Sequence, residues 1–241
     1  VQVKTKAIVI SSLKFQDKGL IVRCFTLSHG LKSYLVRDAF SSKKSARRSG
    51  NKIAYFQPLT ILEIEAVHKN KGTLENFKEV KIASAFHSIH YDIYKSTIVM
   101  FISEILHHSI REEESNEQLF TFLEAALNWL DNHDEIANFH LILMLETTKY
   151  LGFYPDISDI DLPFFEMIEG VFTPFHAISS LTEHETNLFK KLIDLRFDNS
   201  KKVFHVLERQ IVLKILIDYY SFHLDGFKKP KSIDVLKEVF S

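Results

Sequence analysis

Residues Ser41–Lys52 read SSKKSARRSGNK. Five of these twelve positions (Lys43, Lys44, Arg47, Arg48 and Lys52) are cationic, none is acidic, and Arg37 stands just upstream. Like charges repel and no apolar residue anchors the run, so it has little reason to fold alone. Phosphate oxygens would neutralise it and release condensed counterions, which is the chemistry of a nucleic-acid backbone. The alternative is a solvated loop. Tyr34, Phe40, Tyr55 and Phe56 flank the run, and exposed rings can stack on bases while Lys and Arg follow the phosphates. Core filling is the simpler reading for Phe40 and Phe56, which leaves Tyr34 as the stacking candidate. The cations of the run, with Tyr34 beside them, are therefore candidate nucleic-acid contacts.

Other reactive residue types form no catalytic pattern. His87 and His90 are three apart and His107 and His108 are adjacent, but no H-E-x-x-H occurs and packing explains such pairs. Asp156, Asp159 and Asp161 lack the loop glycine and closing glutamate of a calcium loop. A metal-dependent nuclease would need more clustered carboxylates than these. The lone cysteine, Cys24, excludes an intramolecular disulfide framework and a multi-thiolate zinc site. It lies in an apolar run and reads as a small buried hydrophobe. No phosphate-binding glycine loop, dinucleotide fingerprint or nucleophile elbow is present. No catalytic residue, metal or cofactor is expected.

Charge is divided along the chain. Residues 1–80 hold 15 Lys+Arg against 6 Asp+Glu, a net of +9, and residues 81–241 carry a net of −10. Opposite signs suggest two modules with different partners, the first suited to a polyanion. At 46% apolar and 25% charged, the 241 residues can bury a core and remain soluble. No apolar run approaches the length of a membrane span, and the lysines within Val1–Ile10 argue against a secretory signal there.

The elements that position these residues follow from periodicity. Val3–Ser11, Gly19–Leu27, Leu31–Phe40, Leu59–Val67 and Phe77–Ala83 are β-branched or aromatic runs bounded by turn residues. Five short strands predict an OB-type β-barrel over 1–84, with an SH3-like barrel as the structural alternative. From 85 to 241 the spacing is helical. Ile98, Phe101, Ile102, Ile105 and Leu106 share one face, as do Leu119, Phe122, Leu123, Ala126, Leu127 and Leu130. Phe139–Leu151 predicts a central helix and Lys201–Leu224 the longest one. Ser115 with Gln118, and Thr182 with Glu185, have capping-box spacing. Ser232–Phe240 predicts a short last helix. Three prolines break the pattern over Phe153–Ser180, which predicts an irregular excursion. The fold class is α+β: a five-stranded OB-type barrel followed by an α-helical domain.

Several segments in this order resemble the RecO family of bacterial recombination-mediator and DNA-repair proteins. Lys4–Ile10 (KTKAIVI), Asp17–Thr26 (DKGLIVRCFT) and Gly30–Arg37 (GLKSYLVR) are similar to its first three strands. Ser41–Arg48 is similar to its basic loop, Phe56–Leu59 with Ile61–Glu65 to its fourth strand, and Leu213–Ser232 to its closing helix and tail. The resemblance implies a non-enzymatic, cytoplasmic, nucleoid-associated protein. It would bind single- and double-stranded DNA, anneal complementary strands, and help a recombinase replace single-strand-binding protein. Matched residue by residue, the resemblance implies Arg37, Lys43, Lys44, Arg47 and Arg48 as the main phosphate contacts and Lys32, Tyr34 and Lys52 as secondary DNA contacts. RecR and the acidic C-terminal tail of single-strand-binding protein are the implied protein partners, the tail docking on the helical domain. Many members carry a four-cysteine zinc element where Phe153–Ser180 falls. This chain has no cysteine there, so no metal is expected, and packing of Phe164, Phe165, Phe172 and Phe175 is expected to replace it.

Two other functions fit the residues. An interaction adaptor would use Lys190, Lys191, Arg196, Lys201, Lys202, Arg209 and Lys214 beside an apolar groove to hold an acidic peptide. An RNA-binding OB-fold protein would use the same basic module on a different polymer.

Overall fold

A computed structural model describes residues 1–37, 39–40, 53–69, 74–111, 114–199 and 203–241. The chain divides into two compact units, Val1–Asn132 and His133–Ser241. Among the described residues no helix is long and apolar enough to cross a membrane.

In the first unit, β1 (Gln2–Phe15), β2 (Gly19–Thr26), β3 (Gly30–Val36), β4 (Ile61–Val67) and β5 (Asn76–Ile82) form one antiparallel sheet in the order β3-β2-β1-β4-β5. Its two edges approach each other. Glu75 donates its N–H to Ser33 O at 2.8 Å and accepts Leu35 N–H at 2.9 Å, a parallel bridge opposite Tyr34. The sheet is therefore curled and joined at one residue rather than closed along a full strand, as a partly open Greek-key barrel allows.

The middle of β1 explains why the sheet needs helices beside it. Ala7, Ile8, Val9 and Ile10 are all buried, so the alternation of a half-exposed strand is lost. Ala7 and Val9 join Val22, Cys24, Leu62 and Ile64 inside the sheet. On the other side of β2, Phe25 meets Phe120, with ring centroids 6.0 Å apart. Phe120 belongs to α2 (Glu117–Asn132), which follows α1 (Ile93–Ser109). The 84/85 division expected from the sequence follows the change from strand to helix. The compact units divide by packing instead, after α2.

Asp131, in the last turn of α2, fastens the segment that follows β5. Its carboxylate accepts the backbone N–H groups of His87 at 2.8 Å, Ser88 at 2.8 Å and Ile89 at 3.0 Å. The buried Lys95 of α1 donates to Ser88 Oγ at 2.8 Å and to Asp131 O at 3.0 Å. The N-cap of α2 is Asn116, whose Oδ1 accepts Leu119 N–H at 2.9 Å. Ser115 was expected in that role; the cap falls one residue later.

The second unit holds α3 (Phe139–Leu151), β6 (Phe164–Glu166), β7 (Val171–Thr173), α4 (Glu183–Asp194), α5 (Val206–His223) and α6 (Ile233–Val239). Helix α3 is buried on every side from Phe139 to Leu145, as its continuous apolar run requires. Tyr220 of α5 donates to Met144 O at 2.8 Å, so a ring in the core keeps its hydroxyl paired. Thr182 and Glu185 make both bonds of the expected capping box at α4.

The excursion at 153–180 contains the β6–β7 hairpin, which the sequence reading did not expect. Gly170 permits its turn: φ is +70°, and a Cβ there would come within 2.7 Å of Tyr219 Oη. Phe165 packs on Phe172 and Phe189, with centroids 4.9 and 4.7 Å away. Phe175 does not join them, being 80% exposed, so the expected four-phenylalanine core is smaller. Among the described residues no group of His, Cys, Asp and Glu is arranged to hold a metal ion.

Candidate nucleic-acid interface

Of the predicted contacts, Lys32 and Tyr34 lie within β3 and Arg37 follows its end, where β1 also turns into β2. Arg37, the first residue after β3, is exposed. Lys43, Lys44, Arg47, Arg48 and Lys52 lie outside the described residues. The chain on either side of them is anchored in the sheet's core, through buried Ala39 before and Ile53 and Phe56 after. Ile53–Phe56 forms a short 3-10 turn that the sequence reading missed.

Tyr34 is the main correction. It is 0% exposed, and its ring stacks on Phe77 with centroids 4.2 Å apart at 14°. Its hydroxyl shares a 2.8 Å hydrogen bond with His68 Nε2. Burial, aided by the charges of Cys24 and Glu75, pushes the phenol above its ordinary pKa. A ring in this position offers no face to a base. The strand's alternation placed Tyr34 opposite Leu35 but could not say which side was the interior. Lys32, on the same side of β3, is half-buried and adds its charge to those that lower the pKa of His68, where burial is the largest cause.

The exposed groups at this end come from the β1–β2 turn, which the sequence reading treated only as a connection. Lys14, Phe15 and Lys18 are exposed, as is Phe40, which had been read as core. Phe40 donates its N–H to Lys18 O at 3.3 Å, and Lys14 Nζ lies 5.7 Å from the Phe40 ring centroid. Lys14, Lys18 and Arg37 outnumber the acid of the turn, Asp17. The described residues here offer exposed cations and open rings, and no activated nucleophile is among them. Cys24 is fully buried and its thiol is pushed up by burial.

The cationic residues expected to bind a partner on the helices are mostly tied to the protein itself. Lys190 donates to Leu162 O at 2.8 Å. Arg196 donates to Ile193 O and Leu195 O, and Arg209 to Phe204 O and Phe240 O. Lys214 pairs with Asp218 at 2.7 Å and Lys191 approaches Glu208 at 4.0 Å. Lys201 and Lys202 lie outside the described residues. One apolar cleft does exist, lined by Val206, Arg209, Leu213, Leu236, Lys237 and Phe240. Of the predicted residues that are described, only Arg209 borders it. Lys237, on α6, was missed because a short terminal helix gave no sign of what it packs against.

Comparison with known proteins covers the whole chain. Residues 1–86 match the family model described as recombination protein O N terminal, and residues 90–160 the model described as recombination protein O C terminal. A Flavobacterium psychrophilum protein named DNA repair protein RecO is 80% identical over 241 residues, covering 100% of both chains. Proteins of the same name from Flavobacterium johnsoniae and Christiangramia forsetii are 75% and 41% identical over 240 residues, covering 100% and 99% of each chain.

Proposed function

We propose that this chain, which belongs to the recombination protein O (RecO) family, acts in DNA repair by binding DNA through the cationic end of its N-terminal sheet. The observation that carries this reading is the excess of exposed cations there. Lys14, Lys18 and Arg37 are exposed beside the anchored ends of a segment with five further Lys and Arg. Contacts of this kind fix position without reading sequence. They can neutralise two repelling backbones while leaving each free to shift, as annealing of complementary strands requires. No step of this function needs a catalytic residue, a metal or a nucleotide.

Within the same reading the helical unit is a docking surface. The cleft of Leu213, Leu236 and Phe240, with Arg209 and Lys237 at its rim, suits an acidic peptide ending in an aromatic residue, such as the tail of single-strand-binding protein. RecR is the further expected partner, and the cytoplasmic nucleoid the expected place of action. The testing experiment is annealing of complementary oligonucleotides at graded salt, bare and coated with single-strand-binding protein. Faster annealing in both forms at low salt is expected. Annealing no faster than the uncatalysed rate at any salt would refute the function, and equal acceleration of RNA pairing would move it to an RNA-binding role.

A further inference from the structure

Three isoleucines stand open around one turn of the second unit. Ile157 is 47% exposed, Ile168 is 52% exposed and Ile178 is fully exposed. Hydrogen bonds hold the backbone that carries them. In the turn from β6 to β7, Gly170 donates its N–H to Glu166 O at 3.0 Å, and Glu169 donates its N–H to Glu166 Oε2 at 2.6 Å. On one side, Asp156 donates its N–H to Gly170 O at 2.8 Å, which sets Ile157 beside the turn. On the other, Met167 donates its N–H to Ser179 O at 3.1 Å, and Ile168 and Ile178 are the next residues beyond that bond. An exposed isoleucine by itself is ordinary, but a group of them on one fixed turn marks an interaction surface.

The charge around them says what kind. Residues 153–180 contain five acids and no Lys or Arg. Asp156, Asp159 and Glu169 are exposed and follow or precede the isoleucines by one or two positions. Ser158 donates to Asp156 Oδ1 through its N–H at 2.9 Å and its Oγ at 2.6 Å, which holds that carboxyl below the ordinary carboxylate range. Lys190 of α4 reaches the excursion at Leu162 O, which precedes β6 at the hairpin's open end and not at its turn. A surface of this sign repels phosphate chains and anionic lipid and attracts cations.

We propose that this turn is a second docking surface, on which Ile157, Ile168 and Ile178 receive the aliphatic side chains of a partner protein while Asp156, Asp159 and Glu169 receive its lysines or arginines. It stands apart from the cleft described above. Arg209 and Leu213 border that cleft in the first half of α5, whereas Gly170 lies against Tyr219, near the helix's end. The cleft offers cations at its rim and the turn offers anions, so one unit presents two surfaces that select opposite partners.

The test uses the full chain and two labelled peptides of roughly 12 residues, one alternating leucine with lysine and one alternating serine with lysine. Both carry the same charge and only one carries aliphatic side chains. Fluorescence anisotropy is expected to show the leucine peptide binding about 10-fold more tightly. In Ile157→Ser/Ile168→Ser/Ile178→Ser that ratio should fall to about 1, with the melting curve by circular dichroism unchanged because the replaced side chains are exposed. Asp159→Asn/Glu169→Gln leaves the isoleucines in place and should weaken both peptides alike. An intact protein with no preference for leucine, or a preference that survives the serine variant, overturns the docking surface. Self-association of the intact chain in sedimentation, abolished by the serine variant, would overturn the choice of partner in favour of a second copy.

Discussion

Replacing Asp131 by alanine should unfasten the first unit without touching its cationic end. The carboxylate accepts three backbone N–H groups within 3.0 Å, and Ser88 Oγ donates to it as well. Hydrogen bonds to a charged group contribute about 1.5–3 kcal/mol each. The three are not additive, because the turn at His87 is exposed and can recover part of its bonding from water. A loss of about 3 kcal/mol is expected for Asp131→Ala, and about half of that for Asp131→Asn, which keeps one acceptor oxygen. Midpoint temperature should drop by about 6–12 °C for the alanine variant. Trp129, on the same helix, is the chain's one tryptophan, so its fluorescence during urea unfolding reads the unit concerned.

The same site has a pH signature. Burial alone would raise the Asp131 pKa, but the donors of His87, Ser88 and Ile89 overcome this and hold it below the ordinary carboxylate value. A depressed carboxylate stabilises the fold above its unfolded pKa of about 3.9, and loses that contribution as pH falls through the folded value. The gap between wild type and Asp131→Asn should stay constant from neutral pH to about 5 and narrow below about 4. An alanine variant within about 0.5 kcal/mol of wild type, or a gap that does not narrow in acid, would refute this reasoning.

Two further outcomes follow from buried groups. Tyr34→Phe should cost about 1 kcal/mol by removing the bond to His68 and leave oligonucleotide affinity unchanged; a selective loss of affinity would return Tyr34 to the interface. His140 is buried and its pKa is pushed down to about 3, by burial first and Arg209 second. The unfolded chain binds that proton more readily, so stability is complete above about pH 6.5 and falls by about 3 kcal/mol by about pH 4. Urea midpoints of His140→Leu across that range should be flatter than those of wild type, and parallel curves would contradict the assignment.

Much of the fold was legible because both halves follow simple periods. Strand alternation and helical stripes located every strand of the sheet and the principal helices, and the Thr182–Glu185 spacing marked the start of α4. What failed was information carried by distant neighbours. Tyr34 looked like a free ring because its partner, His68, lies far along the chain. Lys190, Arg196 and Arg209 looked available because backbone carbonyl partners leave no trace in composition. The end of β1 was cut short at Ser11, since Ser12 and the exposed residues beyond it dilute the apolar pattern. That omission hid Lys14 and Phe15, the groups the structure exposes beside Arg37. The β6–β7 hairpin was masked by the prolines around it, although Glu169-Gly170 between two phenylalanine-bearing runs was the available turn signal.

The central claim is that the cationic segment after β3 holds DNA by its phosphates. Its most direct test is the salt dependence of oligonucleotide binding in the intact chain and in a variant with Lys43, Lys44, Arg47 and Arg48 replaced by alanine. Each phosphate contact on a single strand contributes about 0.7 to the slope of log affinity against log salt, so the slope should shrink by about 3. A slope identical in the two proteins would contradict the claim.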